Sequence, residues 1–241
     1  MKAVILSAGR GSRLLPLTEA LPKCLLPVAD TTVLGVQLDT LEAAGVERAT
    51  IVTGFYPHLV EEEVAGRSGR MQVETLYNPF FQVADNLASC WMARHAMRDD
   101  FLLINGDTLF EEALVRSVID SPTRGVQVTI DRNPDGYDAD DMKVTVDGEE
   151  LKAIGKTLKA HEAHCESIGM LRFMGQGTAR FTDMLEAAMR TSAGTEAWFL
   201  KAIDRMAKEE GDVWTHSIEG KVWAELDTPE DYQIVQSLFG G

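Results

Sequence analysis

The chain opens on an apolar run, Ala3-Val4-Ile5-Leu6, that breaks directly into Ser7-Ala8-Gly9-Arg10-Gly11-Ser12-Arg13-Leu14, with Pro22-Lys23 following. A buried strand that ends in such a loop belongs to an α/β sheet whose carboxyl edge is open to a ligand. Glycines there let backbone N–H groups approach an anion closely, and two arginines add charge. A polyphosphate needs such a cradle. Lys23 supplies a further point charge where charge builds up in phosphoryl or nucleotidyl transfer. The spacing excludes the two commonest phosphate loops. Arg13 closes the run where a Lys-Ser pair would be required, and Leu14 stands where a dinucleotide fingerprint has its third glycine.

Strand and helix signals alternate through the first half. Strands are predicted at 2–7, 49–53, 73–77, 101–105 and 126–131, and helices at 33–44, 58–65, 87–97 and 111–120. This rhythm implies an α/β fold with a mostly parallel sheet flanked by helices and right-handed crossovers. The second half reads differently. Lys143–Val146 and Leu151–Ile154 flank Asp147-Gly148 and predict a hairpin. A strand at 167–173 returns to the sheet, and helices follow at 179–190 and 197–209. A strand at 213–218 precedes a closing helix at 229–238, with Thr228 as its cap and Pro229 in its first position. The 241 residues, 45% of them apolar, suit one domain. Residues 1–131 are expected to hold the nucleotide and 132–241 the acceptor.

The net charge of −15 argues against a protein that coats nucleic acid. No apolar run approaches the ~20 residues of a membrane span, and the N-terminus lacks the pattern of a signal peptide. Cys24, Cys90 and Cys165 have no metal-ligand spacing and read as reduced thiols. A soluble, cytoplasmic protein without membrane insertion is expected, and a homo-oligomer is compatible with the sequence. The five histidines form no triad or metal spacing.

Two segments carry candidate acidic ligands. Leu102-Leu103-Ile104-Asn105-Gly106-Asp107 is an apolar strand ending in Gly-Asp. A carboxylate there points into the cleft and suits Mg²⁺ beside phosphate oxygens, although a turn aspartate capping the next helix fits the tripeptide equally well. Trp223-Ala224-Glu225-Leu226-Asp227-Thr228-Pro229 places Asp227 just ahead of a helix start.

Together these elements resemble the nucleotidyltransferases that join a nucleoside triphosphate to a sugar phosphate or a small alcohol phosphate. Their opening pattern reads roughly L-A-A-G-x-G-[ST]-R-[LM] followed by P-K, and Ser7 replaces its second residue. The resemblance covers nearly the whole chain. It implies the Rossmann-like sheet of the nucleotide-diphospho-sugar transferases. It also implies that Leu6, Ala8, Gly9, Gly11, Ser12 and Gly106 meet the nucleotide, that Arg13 and Lys23 are catalytic, and that Asp107 and Asp227 hold Mg²⁺. Glu225 is expected to order its turn or to meet the acceptor.

The stretch from Tyr77-Asn78 to Asp85-Asn86-Leu87-Ala88-Ser89 lacks the base motif usual in sugar-phosphate enzymes. It resembles the cytidylyltransferases acting on phosphocholine and similar small phosphates or phosphonates. By that resemblance Asn86 and Ser89 read a pyrimidine, with Asp85 where many members carry asparagine. Tyr137-Asp138-Ala139-Asp140-Asp141-Met142-Lys143-Val144, Ile154-Gly155-Lys156 and Glu166-Ser167-Ile168-Gly169 are similar to elements of the same branch. They imply acceptor contacts from Lys143, Lys156, Glu166 and neighbouring Tyr137. The expected substrates are CTP and a small phosphate or phosphonate, phosphocholine first and 2-aminoethylphosphonate next. A sugar-1-phosphate uridylyl- or thymidylyltransferase and a non-catalytic nucleotide sensor are the alternatives.

Overall fold

A computed structural model describes residues 1–240. Strand β1 (Lys2–Ser7) is followed by two short strands, β2 (Pro27–Val28) and β3 (Thr31–Thr32), and helix α1 (Val33–Ala43). Then come β4 (Arg48–Thr53), α2 (Pro57–Gly66), β5 (Gln72–Tyr77), α3 (Asn86–Met92), β6 (Phe101–Asn105), β7 (Thr108–Phe110) and α4 (Glu112–Ile119). The second half holds β8 (Val126–Asp131), β9 (Lys143–Asp147), β10 (Glu150–Ile154), β11 (Cys165–Phe173), α5 (Gln176–Met189), α6 (Phe199–Glu209), β12 (Val213–Ser217), β13 (Trp223–Glu225) and α7 (Pro229–Phe239).

The main sheet has nine strands in the order β5-β4-β1-β6-β11-β8-β12-β10-β9. Its first four are mutually parallel, whereas β11 runs antiparallel to both β6 and β8. The sheet is therefore mixed, with β11 joining a parallel half to a largely antiparallel one. Strand β1 is central and covered on both faces, which explains its unbroken apolar run. From β1 the chain winds outward through β4 on one side and β6 on the other. This reversal opens a crevice at the carboxyl ends of β1 and β6, where open α/β sheets bind ligands.

Two predicted helices end or start elsewhere for local reasons. Helix α3 stops at Met92 and continues as a 3₁₀ turn, Ala93–His95. There Arg94 donates to the Trp91 carbonyl at 2.8 Å and lies over the Trp91 ring. Helix α6 starts at Phe199 because the Asn86 Oδ1 accepts the Phe199 N–H at 2.9 Å, a cap supplied from another helix. The expected cap of α7 is present: Thr228 accepts from the Asp231 N–H, and Asp231 accepts in return.

Candidate active site

The loop after β1 turns at Gly11, whose φ of 70° falls in the left-handed region glycine tolerates. Thr18 Oγ1 donates to the Gly11 carbonyl at 2.7 Å and fixes that turn. Across the crevice Gly106 lies so close to β1 that a Cβ would meet the Leu6 carbonyl at 2.6 Å. Gly106 N donates to the same carbonyl at 3.0 Å, and this close approach sets Asp107 beside the loop.

Asp227 reaches the same place through a ribbon. Strand β13 pairs antiparallel with β7, Glu225 opposite Thr108, and the Leu226 N–H donates to the Asp107 carbonyl at 2.9 Å. Asp231 Oδ2 accepts the N–H groups of both Asp227 and Thr228 and holds the turn. Asp107, Glu225 and Asp227 can thus each present a carboxylate oxygen within 4.8 Å of the others.

Two cations face this triad. Lys23 Nζ donates to Asp107 Oδ2 at 2.8 Å and to Asp227 Oδ1 at 2.5 Å. Arg13 donates to Asp227 Oδ2 at 2.7 Å and to Asp140 Oδ2 at 3.3 Å. Burial alone would lower the Lys23 ammonium, but the two carboxylates outweigh it and raise it. Burial alone would likewise raise Asp227, and Lys23 with Arg13 holds it below the usual carboxylate range. Glu225 keeps an exposed edge, yet the loss of solvent around its carboxyl, with Asp107 and Asp227 alongside, pushes that carboxyl up.

The sequence-predicted residues divide among three cavities that meet at Asp107. One of about 370 Å³ is lined by Gly9, Gly11, Ser12, Arg13, Lys23 and Gly106. A second, about 260 Å³, is walled by Leu6, Ala8, Phe81, Asn86 and Ser89. The largest, about 970 Å³, carries Lys156 and Glu166 with Asp138, Asp141 and Trp198.

Lys143 and Tyr137 are placed differently. The Lys143 ammonium donates to the carbonyls of Asp138, Ala139 and Asp141 at 2.6, 3.3 and 3.1 Å, and the side chain does not line the cleft. It holds the 138–141 loop by its backbone, so that the loop's carboxylates face outward to the cleft. Tyr137 accepts the Asn133 N–H at 3.4 Å and also lies off the cavity walls. Lys143→Met leaves three carbonyls without a charged donor, and the expected loss is about 2–3 kcal/mol in urea unfolding. Lys156 is 3.8 Å from Asp140 and 4.9 Å from the centre of the Trp198 ring.

Glu166 has no hydrogen-bond partner among the described residues. Burial first, then the nearby carboxylates of Asp141, Asp131 and Asp138, push its carboxyl up to about 7. A folded-state value above the ordinary 4.5 means the folded protein holds this proton longer than the unfolded chain. Stability from this group is therefore present at low pH and lost as pH rises through about 7. Glu166→Gln is expected to match the parent's melting temperature near pH 4.5 and to exceed it at pH 8.

Glu225, expected to order its turn or to meet the acceptor, lines the large cavity and also joins the cluster of Asp107 and Asp227. Its signal was present, since Glu225 and Asp227 are two apart on an extended segment and share a face.

A family model described as "Nucleotidyl transferase" matches residues 2–138. The CMP-5'-(3-aminopropyl)phosphonate synthase of Streptomyces rubellomurinus is 27% identical over 264 residues, covering all of this chain and 41% of that protein. The choline-phosphate cytidylyltransferase of Streptococcus pneumoniae is 21% identical and covers 99% of this chain and 98% of its own. The chain thus spans under half of the first relative's length and nearly all of the second's. The solved inositol-1-phosphate CTP transferase of T. maritima superposes with a TM-score of 0.82 at 18% identity, over 98% of this chain and 94% of that one, a likeness of fold.

Proposed function

Because the chain belongs to the nucleotidyl transferase family, we propose that it transfers CMP from CTP to a phosphate or phosphonate oxygen of a small ammonium-bearing acceptor. The observation that carries this reading is the meeting of Lys23, Arg13, Asp107 and Asp227 at the junction of the three cavities. The glycine loop and both cations then receive the triphosphate, the small cavity beside Asn86 and Ser89 takes the base, and the large cavity takes the acceptor. The names of the phosphonate and choline-phosphate relatives support CTP as the donor.

The donor set suits Mg²⁺. Asp107, Glu225 and Asp227 bring carboxylate oxygens within 4.8 Å of one another, and Asp107 Oδ1 is buried without a hydrogen-bond partner. Asp107 and Asp227 would hold the ion, with Glu225 beside them. When bound, Mg²⁺ neutralises charge on the triphosphate. The residues of the chain do the rest by position and charge. Lys23 and Arg13 reach phosphate oxygens from ion pairs that already hold them in place. The acceptor oxygen is ionised near neutral pH and attacks the α-phosphorus in line. The bond to the β-phosphate oxygen breaks and pyrophosphate leaves, so no side chain is required as a general base.

The acceptor wall favours an ammonium that donates hydrogen bonds. It carries Asp138, Asp141 and an unpartnered Glu166, and Lys156 already lies against the Trp198 ring. A primary amine satisfies carboxylates directly, whereas a quaternary ammonium needs open aromatic faces. 2-Aminoethylphosphonate therefore stands ahead of phosphocholine. A panel of both, with phosphoethanolamine and sugar 1-phosphates, is assayed for pyrophosphate release from CTP in the presence of Mg²⁺. Turnover with the amine-bearing acceptors is expected, and turnover confined to sugar 1-phosphates would sink the reading.

A further inference from the structure

The base cavity is walled by groups whose hydrogen-bonding sense is fixed from behind. Asn78, just past β5, is fully buried. Its Oδ1 accepts the Phe80 N–H at 2.9 Å, and its Nδ2 donates to Ser89 Oγ at 3.0 Å. Asn86 is set the same way, with Oδ1 accepting the Phe199 N–H at 2.9 Å. A backbone N–H can only donate, so in each amide the oxygen must face it and the NH₂ must face away. Asn86 and Ser89 both line the base cavity. Asn86 therefore offers that cavity its NH₂. Ser89, already accepting from Asn78, keeps a hydroxyl hydrogen with no acceptor among the described residues.

We propose that Asn78 and the Phe199 N–H lock Asn86 and Ser89 as hydrogen-bond donors, and that this lock selects cytosine over uracil. The inference rests on the cytidylyl-transfer reading and adds the means of choosing the base. Cytosine presents two acceptors, O2 and N3, beside a 4-amino donor, whereas uracil carries a donor at N3 and an acceptor at position 4. With Ser89 set opposite N3 and Asn86 opposite O2, the two fixed donors match cytosine, and Ser89 opposes the N3–H of uracil. Asp85 on the same wall is an acceptor suited to the 4-amino group. Asn78 touches no substrate; it is a positioning residue, and its effect is on base choice rather than on overall rate.

The decisive variant is Asn78→Asp in the full chain. A carboxylate at that position still accepts the Phe80 N–H but also takes the Ser89 hydroxyl hydrogen, turning Ser89 into an acceptor toward the cavity. The readouts are CTP and UTP affinity by calorimetry and the ratio of their kcat/KM values. The parent prefers CTP, and in N78D the CTP:UTP ratio is expected to fall at least about tenfold. A folded N78D that keeps the parent ratio overturns the proposal, as does a parent that binds CTP and UTP equally. Ser89→Ala decides the matter if N78D does not fold. It should cost CTP about tenfold and leave UTP nearly unchanged, and an equal loss for both overturns the proposal. A parent that binds neither nucleotide contradicts the cytidylyl reading itself, a result distinct from an unselective pocket.

Discussion

Replacing Asp107 with asparagine is expected to yield a folded protein whose kcat is lower by about 10³-fold. The side chain is nearly isosteric, and an asparagine oxygen can still accept from Lys23, which now makes that contact at 2.8 Å. The backbone holding the residue does not depend on its charge, since the Gly106 N–H and the Asp107 carbonyl make main-chain bonds to Leu6 and Leu226. Removal of the Asp107 charge also takes away part of what raises Glu225, which burial pushes up first and the Asp107 and Asp227 carboxylates push up further. Melting temperature is thus expected to stay within a few degrees of the parent while turnover collapses. Single-turnover kinetics with saturating CTP separates this from weakened binding, because the loss is expected in the chemical step. A D107N protein that retains parental turnover would remove Asp107 from the site.

Replacing Lys23 with methionine is expected to damage both stability and turnover. Its ammonium lies between Asp107 and Asp227, and it has few contacts with solvent. Without it the three carboxylates face one another with only Arg13 and the more distant Lys156 as counter-charges. Leaving part of a buried ion pair uncompensated costs about 3 kcal/mol. Loss of a positioned cation at the triphosphate costs about 10³-fold in kcat/KM. Arginine is not a rescue, since its planar fork is larger than the single ammonium that bridges both carboxylates. A divalent cation, in contrast, takes over the lost charge. MgCl₂ is expected to raise the melting temperature of K23M by more than it raises that of the parent, and an equal response would contradict the placement of Lys23.

The parts of this site legible in the sequence are those carried by strand ends. Gly9 to Arg13 and Gly106-Asp107 follow apolar runs long enough to mark a buried strand, so their place at the carboxyl edge of the sheet follows from local pattern. The pairing of β7 with β13 was not legible. Each has three residues, too few to show a period, and it is this ribbon that brings Glu225 beside Asp107. Lys143 illustrates a second limit. A lysine among acidic residues reads as a solvated or phosphate-binding cation, but its flexible stem lets the ammonium fold onto carbonyls of its own loop. Asn86 and Ser89 were legible as polar groups next to a helix start. The direction in which each hydrogen-bonds was not, because it is set by Asn78 and by the distant Phe199 N–H. The antiparallel return of β11 was visible only as a strand, since its direction depends on pairing with β6 and β8.

Transfer of a cytidine nucleotide to an amine-bearing phosphonate or phosphate by the cluster of Lys23, Arg13, Asp107 and Asp227 is tested most directly by phosphorus NMR of the purified chain with CTP, Mg²⁺ and 2-aminoethylphosphonate. The β-phosphate signal of CTP is expected to disappear as pyrophosphate and a coupled phosphonate–phosphate pair appear in equal amounts. Unchanged CTP, with no coupled pair formed from 2-aminoethylphosphonate, phosphoethanolamine or phosphocholine, would contradict it.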